Sequence, residues 1–251
     1  MNTLSILVHA DSKVGKTTLG STCPKPMLIL DAEGGSKFLP LRKTYWDGND
    51  APPVADGSWD ACIVIINDFN ILTRVYQWMQ FGQHGFKSIL VDSISEIQRR
   101  CKAAIQSPTE MQTQQFWGQL LVRMDEIIRG IRDLTLHPTN PLTVAMFIAE
   151  TRMNTQGKWT PYMQGQIAIA LPYWMDIVGY LFVQQLTNPD GTPSDQMVRR
   201  LLVTPHPQYE AGERVQGRVG PVIDNPNIEQ MLAAVYPPEY EQTPQLEGAT
   251  Q

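Results

Sequence analysis

Ser5-Ile-Leu-Val-His-Ala-Asp-Ser-Lys-Val-Gly-Lys-Thr-Thr18 is the stretch on which the fold turns. Ile6-Leu7-Val8 reads as a buried strand, and it runs directly into Ala10, Gly15, Lys16 and Thr17, which satisfy the phosphate-loop pattern Ala/Gly-x-x-x-x-Gly-Lys-Ser/Thr. A helix is expected to start at Lys16 and run over 16–21. In this strand, loop and helix context each position has a physical task. The turn surrounds phosphates with backbone N–H groups, and the helix start adds the positive end of a dipole. Gly15 lets the backbone approach closely, Lys16 pairs with β- and γ-phosphate oxygens, and the Thr17 hydroxyl ligates the bridging Mg²⁺. Residues Ala10, Asp11, Ser12, Lys13, Val14, Gly15, Lys16, Thr17 and Thr18 are therefore the expected lining of an ATP site.

Outward from this stretch, apolar β-rich runs recur at 4–8, 27–30, 62–66, 88–91, 143–148, 176–183 and 198–203. Helical patterns fall between several of the first five, over 69–81 with Asn67 or Asp68 as N-cap, over 94–105, and over 112–134. In the last of these Leu120, Leu121, Met124, Ile127, Ile128 and Ile131 repeat at helical spacing. Alternating strands and helices imply an α/β protein with a mainly parallel sheet. Residues 39–60, rich in Pro, Gly and Asp, read as a surface loop or small insertion. Asn188-Pro-Asp-Gly-Thr-Pro193 is a turn signal that joins two late strands as an antiparallel hairpin.

The 251 residues suit a single core over 1–236, followed by an acidic, Pro- and Gln-rich tail over 237–251 that reads as disordered. The longest apolar runs are too short to cross a bilayer, and the amino terminus lacks the layout of a secretory signal, so a cytoplasmic protein is expected. Cys23, Cys62 and Cys101 have no metal-type spacing and read as reduced, buried thiols. The four histidines are scattered, and His9, at the end of the first strand, reads as a packed or hydrogen-bonded imidazole. A net charge of −5 means that any contact with nucleic acid is local rather than a property of the whole surface.

Two further strand ends carry acids. Lys87-Ser-Ile-Leu-Val-Asp92-Ser93 ends in a carboxylate suited to hold Mg²⁺ through water, and the same Asp92 is also placed to cap the next helix. Met27-Leu-Ile-Leu-Asp31-Ala-Glu33-Gly-Gly puts Glu33 at the carboxyl edge of the sheet, where ligands of open α/β folds bind. There it is either the base that orients an attacking water or an incidental acid beside a Gly-Gly turn.

The order of these motifs, followed by Met146-Phe-Ile-Ala-Glu150-Thr-Arg152-Met, resembles the RecA-like core. Together with Leu171-Pro-Tyr-Trp-Met-Asp176-Ile-Val-Gly-Tyr-Leu181, it looks most like the compact phage-encoded RecA-like ATPases that assist single-strand annealing, over residues 6–226. The resemblance implies a RecA-like P-loop fold with antiparallel strands at its C-terminal end, ATP and Mg²⁺ as cofactors, and Glu33 as the water-activating base. It implies that Glu150, which stands where RecA has glutamine, senses the terminal phosphate. It also implies a single-stranded-DNA loop within 152–166, where Arg152, Lys158, Trp159 and Tyr162 combine cations with stacking faces. Residues 106–117 form a second, less basic candidate. Relatives of this kind share nucleotide sites between subunits of a ring or filament, and here Arg214 or Arg218 stands for the basic residue supplied in trans, with Gly212 where relatives carry lysine.

The expectation is an oligomeric, single-stranded-DNA-stimulated ATPase of recombination or repair, with the acidic tail as a contact for a replication or recombination protein. A small-molecule P-loop phosphotransferase and an ATP-binding scaffold with little turnover are the alternative readings.

Overall fold

The computed structural model describes residues 2–105 and 113–238. Its framework is a set of parallel strands, β1 (Leu4–Ala10), β2 (Met27–Asp31), β3 (Lys43–Tyr45), β4 (Ala61–Ile65), β5 (Ser88–Asp92), β6 (Val144–Met153) and the first half of β8 (Ile177–Thr187). Two further strands, β9 (Pro193–Leu202) and β11 (Val222–Asp224), extend one side antiparallel, giving the order β11-β9-β8-β1-β6-β5-β2-β4-β3. The short strands β7 (Trp159–Pro161) and β10 (Gly212–Glu213) pair with β6 and β8 outside this path. This is the α/β architecture expected of a RecA-like P-loop core, including its antiparallel C-terminal end.

β1 is buried at all seven positions because helices cover both faces of the sheet. Leu7 joins Phe147, Ala149 and Val178 on the face covered by α2 (Phe69–Gln80), α3 (Ile94–Ile105), α4 (Gln114–Asp133) and α5 (Ile167–Trp174). Ile6 and Val8 join Met146, Ile148 and Ile177 on the opposite face, under α1 (Lys16–Gly20) and α6 (Ile228–Val235). At the amino edge Asp176 ties the central strands together, accepting from both the backbone N–H and the hydroxyl of Ser5, at 2.9 and 2.7 Å.

The anticipated helices form where capping chemistry supports them. Asp68 caps α2 through the N–H of Asn70, and Thr113 caps α4 through that of Phe116. The turn at 188–191 closes the β8–β9 hairpin. The three cysteines are buried and free. No helix among the described residues is long and apolar enough to cross a membrane.

Several elements depart from the sequence pattern. α5, Ile-Ala-Ile-Ala-Leu-Pro-Tyr-Trp, is apolar on every side and contains Pro172, so it has no helical period to detect. β6 and β8 run well past their anticipated ends because their last residues are polar and pair beyond the core. Residues 39–60 are more than a surface loop. They contribute β3 to the sheet edge and bury Trp46 and Trp59, each 8% exposed, against Phe86, with ring centroids 6.4 and 5.8 Å away. The indole N–H groups donate to the carbonyls of Asp50 and Val54, so this segment satisfies its own polar groups while its aromatics join the core. The part of the chain proposed as an acidic tail lies outside the described residues beyond Pro238, as does most of the second candidate loop; its described part, from Thr113, begins α4.

Replacing Trp59 with alanine is expected to cost about 3–5 kcal/mol, as for a buried aromatic. Chemical denaturation measures it, and a loss below about 1 kcal/mol would return 39–60 to the status of a surface appendage.

Candidate functional site

The strand register brings the predicted groups together. Ala10 pairs with Glu150, Asp92 with Ile148, and Asp31 with Asp92, so β1, β6, β5 and β2 end at one common edge. A cavity of about 600 Å³ opens there, lined by residues 10–13 and 15–18 of the phosphate loop together with Glu33, Asp92, Glu150 and Thr151, and walled further out by Phe38, Leu39 and Pro40.

Within the loop, Lys13 has φ 63° and Gly15 φ 99°, and Gly15 stands at the N-cap of α1. The Lys16 ammonium folds back on the loop, donating to the carbonyls of Ala10 at 3.0 Å and Asp11 at 2.8 Å. Burial lowers its pKa, opposed by the surrounding carboxylates of Glu33, Asp92, Glu150 and Asp11. The Thr17 hydroxyl donates to Asp92 Oδ2 at 2.6 Å. Burial also raises the Asp92 carboxyl to about 6, with the Thr17 hydrogen bond opposing and the charges of Glu33 and Asp31 adding to the shift.

The helix-capping role considered for Asp92 falls to its neighbour. Ser93 Oγ accepts the N–H of Glu96 at the start of α3, which leaves the Asp92 carboxylate facing the phosphate loop.

Glu33 is positioned by its near neighbour in the chain, Asp31. Buried Asp31 accepts from the backbone N–H groups of Glu33, Gly34 and Ser36 at 3.1, 2.6 and 3.0 Å, and from the Ser36 hydroxyl. It winds residues 31–36 into a tight turn in which Gly34 takes φ 77°. Glu33 is thereby presented, exposed, at the cavity, and its carboxylate accepts the Ser93 hydroxyl. The Asx-turn signature Asp-x-x-Gly was legible in Asp31-Ala-Glu-Gly34.

Glu150 reaches the same cavity with its charge already matched. Arg99 of α3 grips it in a bidentate pair at 2.7 and 2.8 Å and also contacts Glu96 at 2.8 Å. Hydrogen bonding from Arg99 holds the Glu150 carboxyl below its usual range. Arg99 looked like one of several charges on an amphipathic helix, and nothing in the sequence distinguished it.

Arg214 and Arg218 lie at the other edge of the sheet. Arg214 donates to the Tyr173 carbonyl and Arg218 to that of Val235 at 2.8 Å, beside Ser5 and Asp176, and neither lines the phosphate cavity of its own chain. A different arginine touches the loop: Arg199 Nε of β9 donates to the Val14 carbonyl at 2.9 Å.

The four residues of the candidate DNA segment form an ordered hairpin of β6 and β7. Arg152 lies over the Tyr162 ring, 5.0 Å from its centroid, and is exposed. Lys158, expected as one of the DNA-binding cations, is paired to Glu210 at 2.8 Å, and Trp159 is half-buried with its backbone bonded to Gln208 and Glu210. Arg152 and Tyr162 thus form one group, and Lys158 and Trp159 another docked on 208–210.

His9 links this hairpin to β1. Its Nε2–H donates to the Glu210 carbonyl at 2.7 Å, because a carbonyl can only accept, and Nδ1 consequently accepts from the Thr151 hydroxyl at 3.0 Å. Burial pushes its pKa down to about 4.

A family model described as AAA domain matches residues 2–215. The chain belongs to the AAA domain family. It therefore carries a P-loop ATPase-like domain, and nucleotide binding follows from the family. No curated protein matches. Among solved structures, the chain is similar to a prototypical ATPase from the type III secretion system of pathogenic bacteria, with 12% identity and a TM-score of 0.46 over 71% of this chain. This chain spans about half of that one, 52%. It is also similar to the flagellar accessory protein FlaH from Methanocaldococcus jannaschii, with 8% identity and a TM-score of 0.42, covering 81% of this chain and 78% of that one.

Because the folded pKa of His9 lies below the unfolded value near 6.5, the unfolded chain binds the proton first and stability falls as pH drops from about 6.5 towards 4. His84, also pushed down to about 4 by burial, adds to the same slope. His9→Gln is expected to flatten the slope by roughly 2–3 kcal/mol in denaturant melts at pH 7 and pH 4.5. An unchanged slope would mean that His9 is not a neutral, buried imidazole.

Proposed function

We propose that this protein hydrolyses Mg-ATP at the cavity between the phosphate loop, Glu33 and Asp92, and couples the nucleotide cycle to single-stranded DNA during recombination or repair, by annealing or strand exchange. The observation that carries the ATPase part is the 2.6 Å contact between Thr17 and Asp92, with Lys16 and Glu33 lining the same cavity.

Thr17 and Asp92 also fit a divalent cation. A buried carboxylate whose pKa is raised, with further acids around it, is short of positive charge, and a hydroxyl oxygen beside it completes a pair of hard oxygen ligands. Thr17 and Asp92 would hold Mg²⁺, and the chemistry it would supply there is neutralisation of phosphate charge.

The chain's own groups divide the rest of the work. Backbone N–H groups of residues 11–17 and the Lys16 ammonium hold the phosphates, and Lys16 leaves the carbonyls of Ala10 and Asp11 to do so. Glu33 accepts a proton from a water whose oxygen bonds to the γ-phosphorus as the bond to the β–γ bridging oxygen breaks. Phe38, 81% exposed on the outer wall of the cavity, offers an apolar face for the nucleoside end. Glu150, matched by Arg99, acts through that pair when the terminal phosphate arrives. Arg214 or Arg218 serves a neighbouring subunit's site in a ring or filament.

The DNA reading rests on Arg152 and Tyr162, an exposed cation stacked on an aromatic ring at the base of a hairpin that also carries the half-buried Trp159. Such a pair suits backbone neutralisation and base stacking without sequence preference.

Lys16→Ala is expected to abolish ATP binding while leaving the melting temperature of the free protein unchanged. Glu33→Gln should keep ATP affinity and lower turnover by about 10²–10⁴-fold, as for loss of a general base. Steady-state hydrolysis and nucleotide titration separate the two, and normal turnover in either variant would overturn the mechanism.

Single-stranded DNA is expected to stimulate turnover. The double variant Trp159→Ala, Tyr162→Ala should weaken strand affinity by about 1–3 kcal/mol per lost stack, and Arg152→Ala should reduce the salt slope by about 0.7. Turnover that responds to a small-molecule acceptor instead would indicate a phosphotransferase, and ATP binding without turnover would indicate a scaffold.

A further inference from the structure

Arg199 and Arg200 are neighbours on β9 and point to opposite faces. Arg200 is conventionally neutralised, bonded to Asp224 at 2.8 and 3.2 Å and to Gln184 at 2.7 Å. Arg199 makes no ion pair among the described residues. Its Nε–H donates to the Val14 carbonyl at 2.9 Å, and its guanidinium lies so close to Gly15 that a Cβ at that position would come within 2.6–2.9 Å of three guanidinium atoms. Gly15 therefore serves two purposes: its φ of 99° is poorly tolerated by L side chains, and its bare Cα admits the arginine.

The Val14 carbonyl and the Gly15 N–H belong to one peptide plane. In a trans peptide these two bonds point in opposite directions. A guanidinium that holds the carbonyl outward from the loop consequently holds the Gly15 N–H inward, towards the phosphate cavity, where it has no protein acceptor among the described residues. The unneutralised positive charge behind the loop further favours an anion in front of it.

We propose that Arg199 is a positioning residue for nucleotide binding, fixing the Val14–Gly15 peptide so that the loop presents its N–H to the α/β-phosphates. The inference deepens the ATP-site reading and rests on it. Arg199 acts from behind the loop in its own chain and does not line the phosphate cavity, which distinguishes it from the arginines expected to act in trans.

The test measures the affinities of ATP, ADP and AMP and the melting temperature of the free protein for wild type, Arg199→Ala, Arg199→Lys and Arg200→Ala, with Lys16→Ala as reference. Losing a held donor to a charged phosphate should cost Arg199→Ala about 10- to 100-fold in affinity. The loss should be equal for ATP and ADP, which share the β-phosphate, and smaller for AMP. Arg199→Lys, or added guanidine with Arg199→Ala, should restore part of it. Arg200→Ala should lower the melting temperature through the lost Asp224 pair and leave nucleotide affinity intact.

Wild-type affinity in Arg199→Ala would overturn the proposal. So would a loss confined to ATP, which would mean direct contact with the terminal phosphate, and so would an equal loss in Arg200→Ala, which would trace the effect to hairpin stability. Undiminished binding in Lys16→Ala would overturn the underlying ATP-site reading instead.

Discussion

The parallel register of β1, β6, β5 and β2 is the constraint on which everything at this site depends. Side chains in neighbouring strands stand a fixed distance apart, so pairing Ala10 with Glu150 and Asp31 with Asp92 leaves their loops almost no freedom in where they emerge. A one-residue slip of β5 would turn Asp92 to the other face of the sheet and bury an acid among the apolar residues there. The apolar alternation that fills the two cores thus also sets the positions of Thr17, Lys16, Glu33, Asp92 and Glu150 around one cavity.

The electrostatics of that cavity follow from its concentration of acids. Asp31 is fully committed to backbone and Ser36 donors, and Glu150 is matched by Arg99, so of the acids that follow the strands β2, β5 and β6, Asp92 and Glu33 remain open to a ligand. These two differ in environment. Asp92 is buried with a raised pKa, whereas Glu33 is exposed on a turn and steadied by the Ser93 hydroxyl. Similar acids placed in dissimilar surroundings can take separate tasks, one towards a cation and the other towards a proton.

Much of this was legible in the sequence because it is local. The phosphate loop, the strand ending in Asp92 and the turn after Asp31 each occupy a few consecutive residues with a recognisable physical pattern. What escaped were groups defined by tertiary approach. Arg99 is an ordinary helix-surface arginine until β6 sets Glu150 beside it, and Arg199 is an ordinary strand arginine until the β8–β9 hairpin folds over Val14. Residues 39–60 read as a surface loop for a related reason: a segment dense in Pro, Gly and Asp gives no period, yet two large rings, Trp46 and Trp59, are enough to anchor it. Arg214 and Arg218 carry a pattern suited to a nucleotide site but fold at the far end of the sheet from their own.

The bond from His9 to the Glu210 carbonyl gives the architecture a mechanical property. Lys158 and Trp159 fasten the β6–β7 hairpin to residues 208–210, and His9 fastens those residues to β1 one position before Ala10. Thr151, on the strand that forms the hairpin, grips the other side of the same ring. A force applied to the hairpin therefore has a short, stiff route to the root of the phosphate loop, and one imidazole carries it from both directions.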